Sequence, residues 1–201
     1  MTGHDIPVLE TRRLILRGPE AQDSPDFKAT FSSYCSRFMG GPLNGYEASM
    51  LYAAEIDHWA IRSYGMWMIQ DRATGRTLGM AGGWFPARWP EREIAWIIWP
   101  GEAGRDYALE ATHAVRRHLF GAGGWEGAVS YIDPRNLDRI RLAERPGCTR
   151  NKDAPTIDGN DAVHRHPSPE RLGPGQLADG IELAISHYSD PLFKSKGLRV
   201  D

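Results

Sequence analysis

The segment Glu93-Ile94-Ala95-Trp96-Ile97-Ile98-Trp99-Pro100-Gly101-Glu102-Ala103-Gly104-Arg105-Asp106-Tyr107-Ala108-Leu109-Glu110-Ala111 reads as strand, loop and helix in immediate succession. Ile94 to Trp99 is a short, β-branched and aromatic run of the kind that forms a buried strand. Pro100-Gly101 breaks it. After a glycine-bearing loop, Ala108, Ala111, Val115 and Leu119 recur at helical spacing and form one apolar stripe. A strand that runs through such a loop into a helix points several backbone N–H groups at one spot. The helix dipole adds positive potential there, which suits a phosphate or pyrophosphate. A nucleotide-containing cofactor is therefore the first expectation.

Outward from this segment the pattern alternates. Arg12 to Arg17 reads as a short strand with charged ends. Asp23 to Phe38 reads as one helix, with Asp23-Ser24 as its cap, Pro25 in its first turn, and Phe27, Phe31, Tyr34 and Phe38 on one face. Gly40-Gly41-Pro42 stops it. A second helix is expected over Glu47 to Ser63, with Tyr52, Ile56 and Trp59 inward. Tyr64–Asp71 and Arg76–Phe85 read as a hairpin across Asp71 to Gly75. Beyond the helix at Tyr107, Gly127 to Ile132 reads as a strand and Asp133-Pro134-Arg135-Asn136 as a turn. That turn caps a helix ending at Pro146-Gly147, and Ala162 to His166 reads as a late strand. The order is α/β with a mixed sheet, and it does not match a Rossmann repeat, which would alternate from the start. Proline, glycine and charge dominate after Pro167, apart from Ile181, Leu183 and Ile185, so 169–201 reads as an appendage.

The 201 residues suit one domain. A net charge of −2 argues against a nucleic-acid binder held by a general basic surface. No apolar run is long enough to span a bilayer, and Met1 to Arg13 lacks the apolar centre of a signal peptide. Cys35 and Cys148 lie far apart and outside any CxxC pattern, which fits free thiols in a reducing cytoplasm. His164 and His166 would share one strand face as a metal pair does, yet no third ligand lies nearby in sequence. No metal is expected.

Taken together, three segments resemble the GNAT acetyltransferases, and more closely the branch of ribosomal-protein N-terminal acetyltransferases of the Rim type. Leu9 to Arg17 is similar to that branch's first strand. Ala103-Gly104-Arg105-Asp106-Tyr107-Ala108 stands where the family has its pyrophosphate loop, and Leu109-Glu110-Ala111 continues in the same manner. Asp133-Pro134-Arg135-Asn136 and Leu142 to Cys148 resemble the segment that usually ends in Leu-Gly-Phe. The resemblance implies an acetyltransferase domain over 1–168, built on a central, mostly antiparallel sheet that splays between the Glu93 and Gly127 strands and is flanked by helices.

It also implies transfer of an acetyl group from acetyl-CoA to a primary amine, on a small molecule or a protein N-terminus, with no metal, nucleic acid or membrane involved. The backbone of Ile97, Ile98 and Trp99 would pair with the pantetheine arm as an added strand. Ala103, Gly104, Arg105, Asp106, Tyr107 and Ala108 would hold the pyrophosphate, with Arg105 its natural side-chain partner. Asn136 would touch the cofactor as well as cap its helix. Arg139, expected among the cofactor-binding residues, occupies the position where this branch carries a serine acid, so the acid is not assigned by position, and Asp106 replaces the loop glycine.

Glu93 is the candidate base, against the alternative of a solvated strand-end carboxylate. Tyr131 is the candidate donor to the leaving thiolate, against a core tyrosine. Glu110 reads as a structural helix residue. Trp84 and Trp89 are candidates for the acceptor mouth. Homodimerisation through Ile181, Leu183 and Ile185 is a further expectation. The alternative reading is a GNAT-fold interaction or sensor module with weakened acyl-CoA binding, for which Asp106 and Arg139 are the motivation.

Overall fold

The computed structural model describes residues 6–167. Eight strands form one sheet in the order β1-β2-β3-β4-β5-β6-β8-β7. They are β1 (Leu9–Glu10), β2 (Leu14–Arg17), β3 (Met66–Asp71), β4 (Thr77–Trp84), β5 (Glu93–Ile98), β6 (Val129–Ile132), β7 (Thr149–Arg150) and β8 (Ala162–Arg165). The helices are α1 (Ser24–Phe31), α2 (Gly45–Arg62), α3 (Tyr107–Phe120) and α4 (Leu137–Glu144). Neighbouring strands are antiparallel except for β5 and β6, which run parallel and meet at the single Cα pair Glu93–Val129. From that pair they diverge, which is the expected splay.

The sheet separates two apolar layers. Ile94 and Trp96 of β5 pack with Ala111, Val115 and Leu119 of α3, so the stripe expected of that helix is the buried one. The opposite face, through Met66, Met68, Met80 and Trp99, packs on Phe27 and Phe31 of α1 and on Ala48 and Tyr52 of α2. Alternation of side chains along β5 thus sends Glu93, Ala95 and Ile97 toward the α1–α2 side. In β4, Gly82 is required by close approach, because a Cβ there would lie 2.1 Å from the carbonyl oxygen of Gly65.

Three sequence expectations are corrected. The helix expected over Asp23–Phe38 is two elements: α1 ends at Phe31, and Tyr34–Phe38 forms a 3-10 turn. Ser33 adopts an extended conformation between them, and its hydroxyl accepts from the Cys35 N–H. Tyr34 consequently lies in solvent, 72% exposed. Asp23 does not cap α1 through its side chain; its carboxylate pairs with Arg17 at 2.7 Å. In α2 the inward stripe is Ala48, Tyr52, Glu55 and Trp59, while Ile56 is 40% exposed. The expected dimer patch at Ile181, Leu183 and Ile185 lies outside the described residues. Among the described residues no helix is long and apolar enough to cross a membrane, and no cluster of three or more His, Cys, Asp or Glu is arranged to hold a metal ion.

Candidate active site

The divergence of β5 from β6 opens a cavity of about 850 Å³ on the α1–α2 side of the sheet. Glu93 sits at the point of divergence and is buried. Its Oε2 accepts from the Trp89 indole N–H at 2.7 Å, and its Oε1 accepts from the Tyr131 main-chain N–H at 3.3 Å. The side chain therefore takes a place that a ladder bond would fill if the strands stayed paired. Burial raises the carboxyl above its ordinary range, opposed by the charge of Arg139 and by the hydrogen bond from Trp89. Glu93 is thus no solvated strand-end carboxylate.

Tyr131 follows on β6 and lines the same cavity. Its hydroxyl accepts from the Glu91 N–H at 3.2 Å, which leaves its own proton available for donation. Burial pushes the phenol up to about 12, so it stays protonated at neutral pH. Trp84 and Trp89 both line the cavity, and Trp89 orients Glu93 as well. Arg139, half-buried on α4, lies over the Trp96 ring at 5.0 Å and faces the cavity beside Glu93.

Along β5 the main chain alternates as the side chains do. The Trp99 N–H donates to Leu78 of β4 at 2.8 Å, so it is already committed to the sheet. Residues in phase with Trp99, Ile97 among them, point their main-chain groups at β4. Those of Trp96 and Ile98 point into the splay. Of the three residues expected to pair with a pantetheine arm, Ile98 has the required direction, and Trp96 joins it.

Beyond β5 the loop carries positive φ at Gly101 (89°), Gly104 (84°) and Asp106 (58°). Ala103, Gly104 and Arg105 are exposed, and a Cβ at Gly101 or Gly104 would meet nothing within 4 Å. Asp106 is the N-cap of α3 but makes no side-chain cap bond, so the first-turn N–H groups of α3 are not occupied by that carboxylate. Its carboxylate pairs instead with Arg145, at the end of α4. Arg105, the side chain expected to balance Asp106, pairs with Glu102 at 3.6 Å. The outward-facing main-chain groups of β5, the open loop and the first turn of α3, free of a side-chain cap, follow one another along the chain, an order that suits a long thioester cofactor with a diphosphate. Asp106 is the departure, and Arg145 offsets its charge.

Asn136 is the N-cap of α4, its Oδ1 accepting from the Arg139 N–H at 3.2 Å. Glu110 is structural, as expected: it accepts from Thr11 at 2.5 Å and pairs with Arg13 at 2.6 Å. His164 and His166 are buried, with His166 3.1 Å from the Ser130 hydroxyl. Glu55 lines the cavity and was not among the residues singled out from sequence. The signal was there: it lies three residues after Tyr52 and four before Trp59, on the buried stripe. Arg145 carried no sequence signal, because its contact with Asp106 is set by how α4 returns to the loop.

An open, mostly antiparallel sheet that splays at one parallel pair, with a glycine-bearing loop running into a helix, defines an acyltransferase type of architecture. The family model described as the acetyltransferase (GNAT) domain matches residues 13–149, and the chain belongs to this family of acetyltransferases. Among solved structures it is similar to an acetyltransferase from Agrobacterium tumefaciens, at 32% identity and TM-score 0.79, over 82% of this chain and 96% of that one. It resembles the RimL-type ribosomal L7/L12 alpha-N-protein acetyltransferase solved with coenzyme A, at 16% identity and TM-score 0.61, over 79% of this chain and 95% of that one. An aminoglycoside acetyltransferase, also solved with coenzyme A, matches at 17% identity and TM-score 0.66, over 79% of this chain and 96% of that one. The last two likenesses carry the fold and no more. No curated protein matches.

Proposed function

We propose that this protein transfers the acetyl group of acetyl-CoA to a primary amine by direct attack on the thioester. The observation that carries the reading is Glu93: a buried carboxylate, held by two N–H donors at the mouth of the splay, with its proton affinity raised by burial. Acetyl-CoA supplies the activated acetyl group. Ile98 and Trp96 offer main-chain groups to the pantetheine arm, and the loop over Ala103–Ala108 with the first turn of α3 holds the diphosphate. Asn136 fixes the start of α4 and touches the cofactor. Glu93 accepts the proton that an ammonium acceptor must lose before its nitrogen can attack. Tyr131, protonated at neutral pH, returns a proton to the departing sulfur. Trp84 and Trp89 wall the acceptor end. This reading takes 1–168 as the acetyltransferase domain and 169–201 as an appendage.

Glu93→Gln tests the assignment. Its maximal rate of thiol release with an amine acceptor is expected to fall by about 10² to 10³, the usual range for loss of a general base, while acetyl-CoA binding is retained. A rate within a few-fold of the parent sinks the base role.

A second reading, an interaction module with weakened acyl-CoA binding, is favoured by the carboxylate inside the diphosphate loop. A clear rise in melting temperature with acetyl-CoA supports the transferase. No rise at millimolar ligand supports the module.

A further inference from the structure

The cavity holds a second buried carboxylate that the acetyl transfer described above does not use. Glu55 enters from α2, in the helical layer, whereas Glu93 enters from β5, in the sheet. Glu55 is 5% exposed and its Oε2 has no hydrogen-bond partner among the described residues. No ion pair to it is formed there either. The lining of the cavity also includes Phe31, Leu51 and Met66, whose apolar side chains offer a carboxyl group no hydrogen bond.

The cations of the cavity are committed elsewhere. Arg139 lies beside Glu93 and over Trp96. Arg135 pairs with Asp133 at 2.6 Å. Arg37, exposed at the rim, stacks over the Tyr34 and Phe38 rings at 4.5 and 4.3 Å. The lining as a whole carries five carboxyl groups, Glu55, Glu93, Asp133, Asp158 and Asp161, against the three arginines Arg37, Arg135 and Arg139. Without a counter-charge, burial and the charge of Glu93 push Glu55 up to about 8, so a cation bound there would restore its ionised form. The cavity is also far larger than one amino group needs, and its lining includes Phe31, Leu51, Met66, Ala95 and Ile97, apolar surface that suits a methylene chain.

We propose that Glu55 is a specificity residue for a second positive charge on the acceptor, which makes the acceptor a di- or polyamine-like molecule with a basic group at each end of an apolar stretch. One nitrogen is presented to Glu93 for acetylation, and the other is held by Glu55. The proposal rests on the amine-acetylating reading of the same cavity.

Calorimetric binding of α,ω-diaminoalkanes and of n-alkylamines of equal chain length to the full chain tests it without turnover. A charge-assisted contact in a shielded site corresponds to roughly 30-fold, so the diamines are expected to bind about 30-fold more tightly. In Glu55→Gln, which keeps the side-chain shape, that preference should shrink to about threefold or less, with the loss in acceptor KM when acetylation is followed. Equal binding of the two series by the parent protein overturns the proposal, as does a preference that survives in Glu55→Gln. Acetylation assays on the same amines separate the two readings. Diamine preference in binding without acetylation would keep the Glu55 site and remove the transferase reading. Acetylation of both series alike would do the reverse.

Discussion

Asp106 and Glu55 show how one side chain departs from a local pattern for a reason set by its surroundings. Asp106 stands in the left-handed region where the family loop has glycine, and a non-glycine residue there carries about 1 kcal/mol of backbone strain. Its charge also faces the region proposed for a diphosphate, with Arg145 as its counter-ion. At an effective dielectric near 20, unit charges about 5 Å apart repel by about 3 kcal/mol. Pairing with Arg145 and solvent reduce the part a cofactor feels. Asp106→Gly is therefore expected to tighten acetyl-CoA about tenfold at low salt, with the gain shrinking as ionic strength rises. Dissociation constants of both forms at two salt concentrations check this. Weaker binding by the glycine variant would mean that the Asp106–Arg145 link is needed to hold the loop.

At the scale of elements, α4 joins the two halves of the site. Asn136 caps its first turn, Arg139 lines the cavity and Arg145 pairs with Asp106 in the loop before α3. Loss of the cap in Asn136→Ala should cost about 1 kcal/mol of stability. It should also raise the Michaelis constant for acetyl-CoA if Asn136 makes the cofactor contact proposed for it. Denaturant titration and initial-rate kinetics separate the two effects: the expected stability loss with an unchanged Michaelis constant leaves Asn136 as a cap alone. The split of the expected 23–38 helix has a comparable local origin. Ser33 offers its backbone a side-chain bond that competes with the helix, and the aromatic periodicity that continued past it had no apolar surface to meet at Tyr34.

The molecule as a whole holds buried titratable groups of opposite sense, and its stability against pH follows from them. The native state keeps Glu55 protonated up to about 8, against an ordinary 4.5, so it holds a proton that the unfolded chain has released. Stability from this group is present below the lower value and falls as pH rises through that window. Burial, with the charge of neighbouring Arg116, moves the histidines the other way, His113 down to about 4 and His166 down to about 3, from an ordinary 6.5. The unfolded chain takes up protons that these native histidines refuse, so stability falls as pH drops below 6.5. Melting temperatures across pH should pass through a maximum near neutrality. Glu55→Gln should flatten the alkaline limb, and His166→Gln the acid limb. A melting-temperature difference between Glu55→Gln and the parent that stays constant from about pH 5 to pH 8 would show that Glu55 is ionised in the native state.

Local pattern alone determined the strand–loop–helix at Glu93–Ala111, the inward stripe of α3, the turn and cap at Asn136, and the resemblance of three ordered segments to one acetyltransferase family. These features rest on periodicity, turn chemistry and capping, all of which act within a few residues. That β5 and β6 splay was expected from the order of elements and from Pro100-Gly101, but the point of divergence, at the Glu93–Val129 pair that opens β5, was not, nor was what fills the gap. The Glu93 carboxylate replaces a ladder bond only because Trp89 and Tyr131 arrive from two other segments. The choice of Glu55 over Ile56 for the interior was likewise made by tertiary packing. Helical phase permits either at the edge of the stripe, and the cavity between α2 and the sheet gives a carboxyl group room that a core would have denied it. The pairing of Asp106 with Arg145 spans 39 residues, a contact that only the return of α4 to the loop brings within reach.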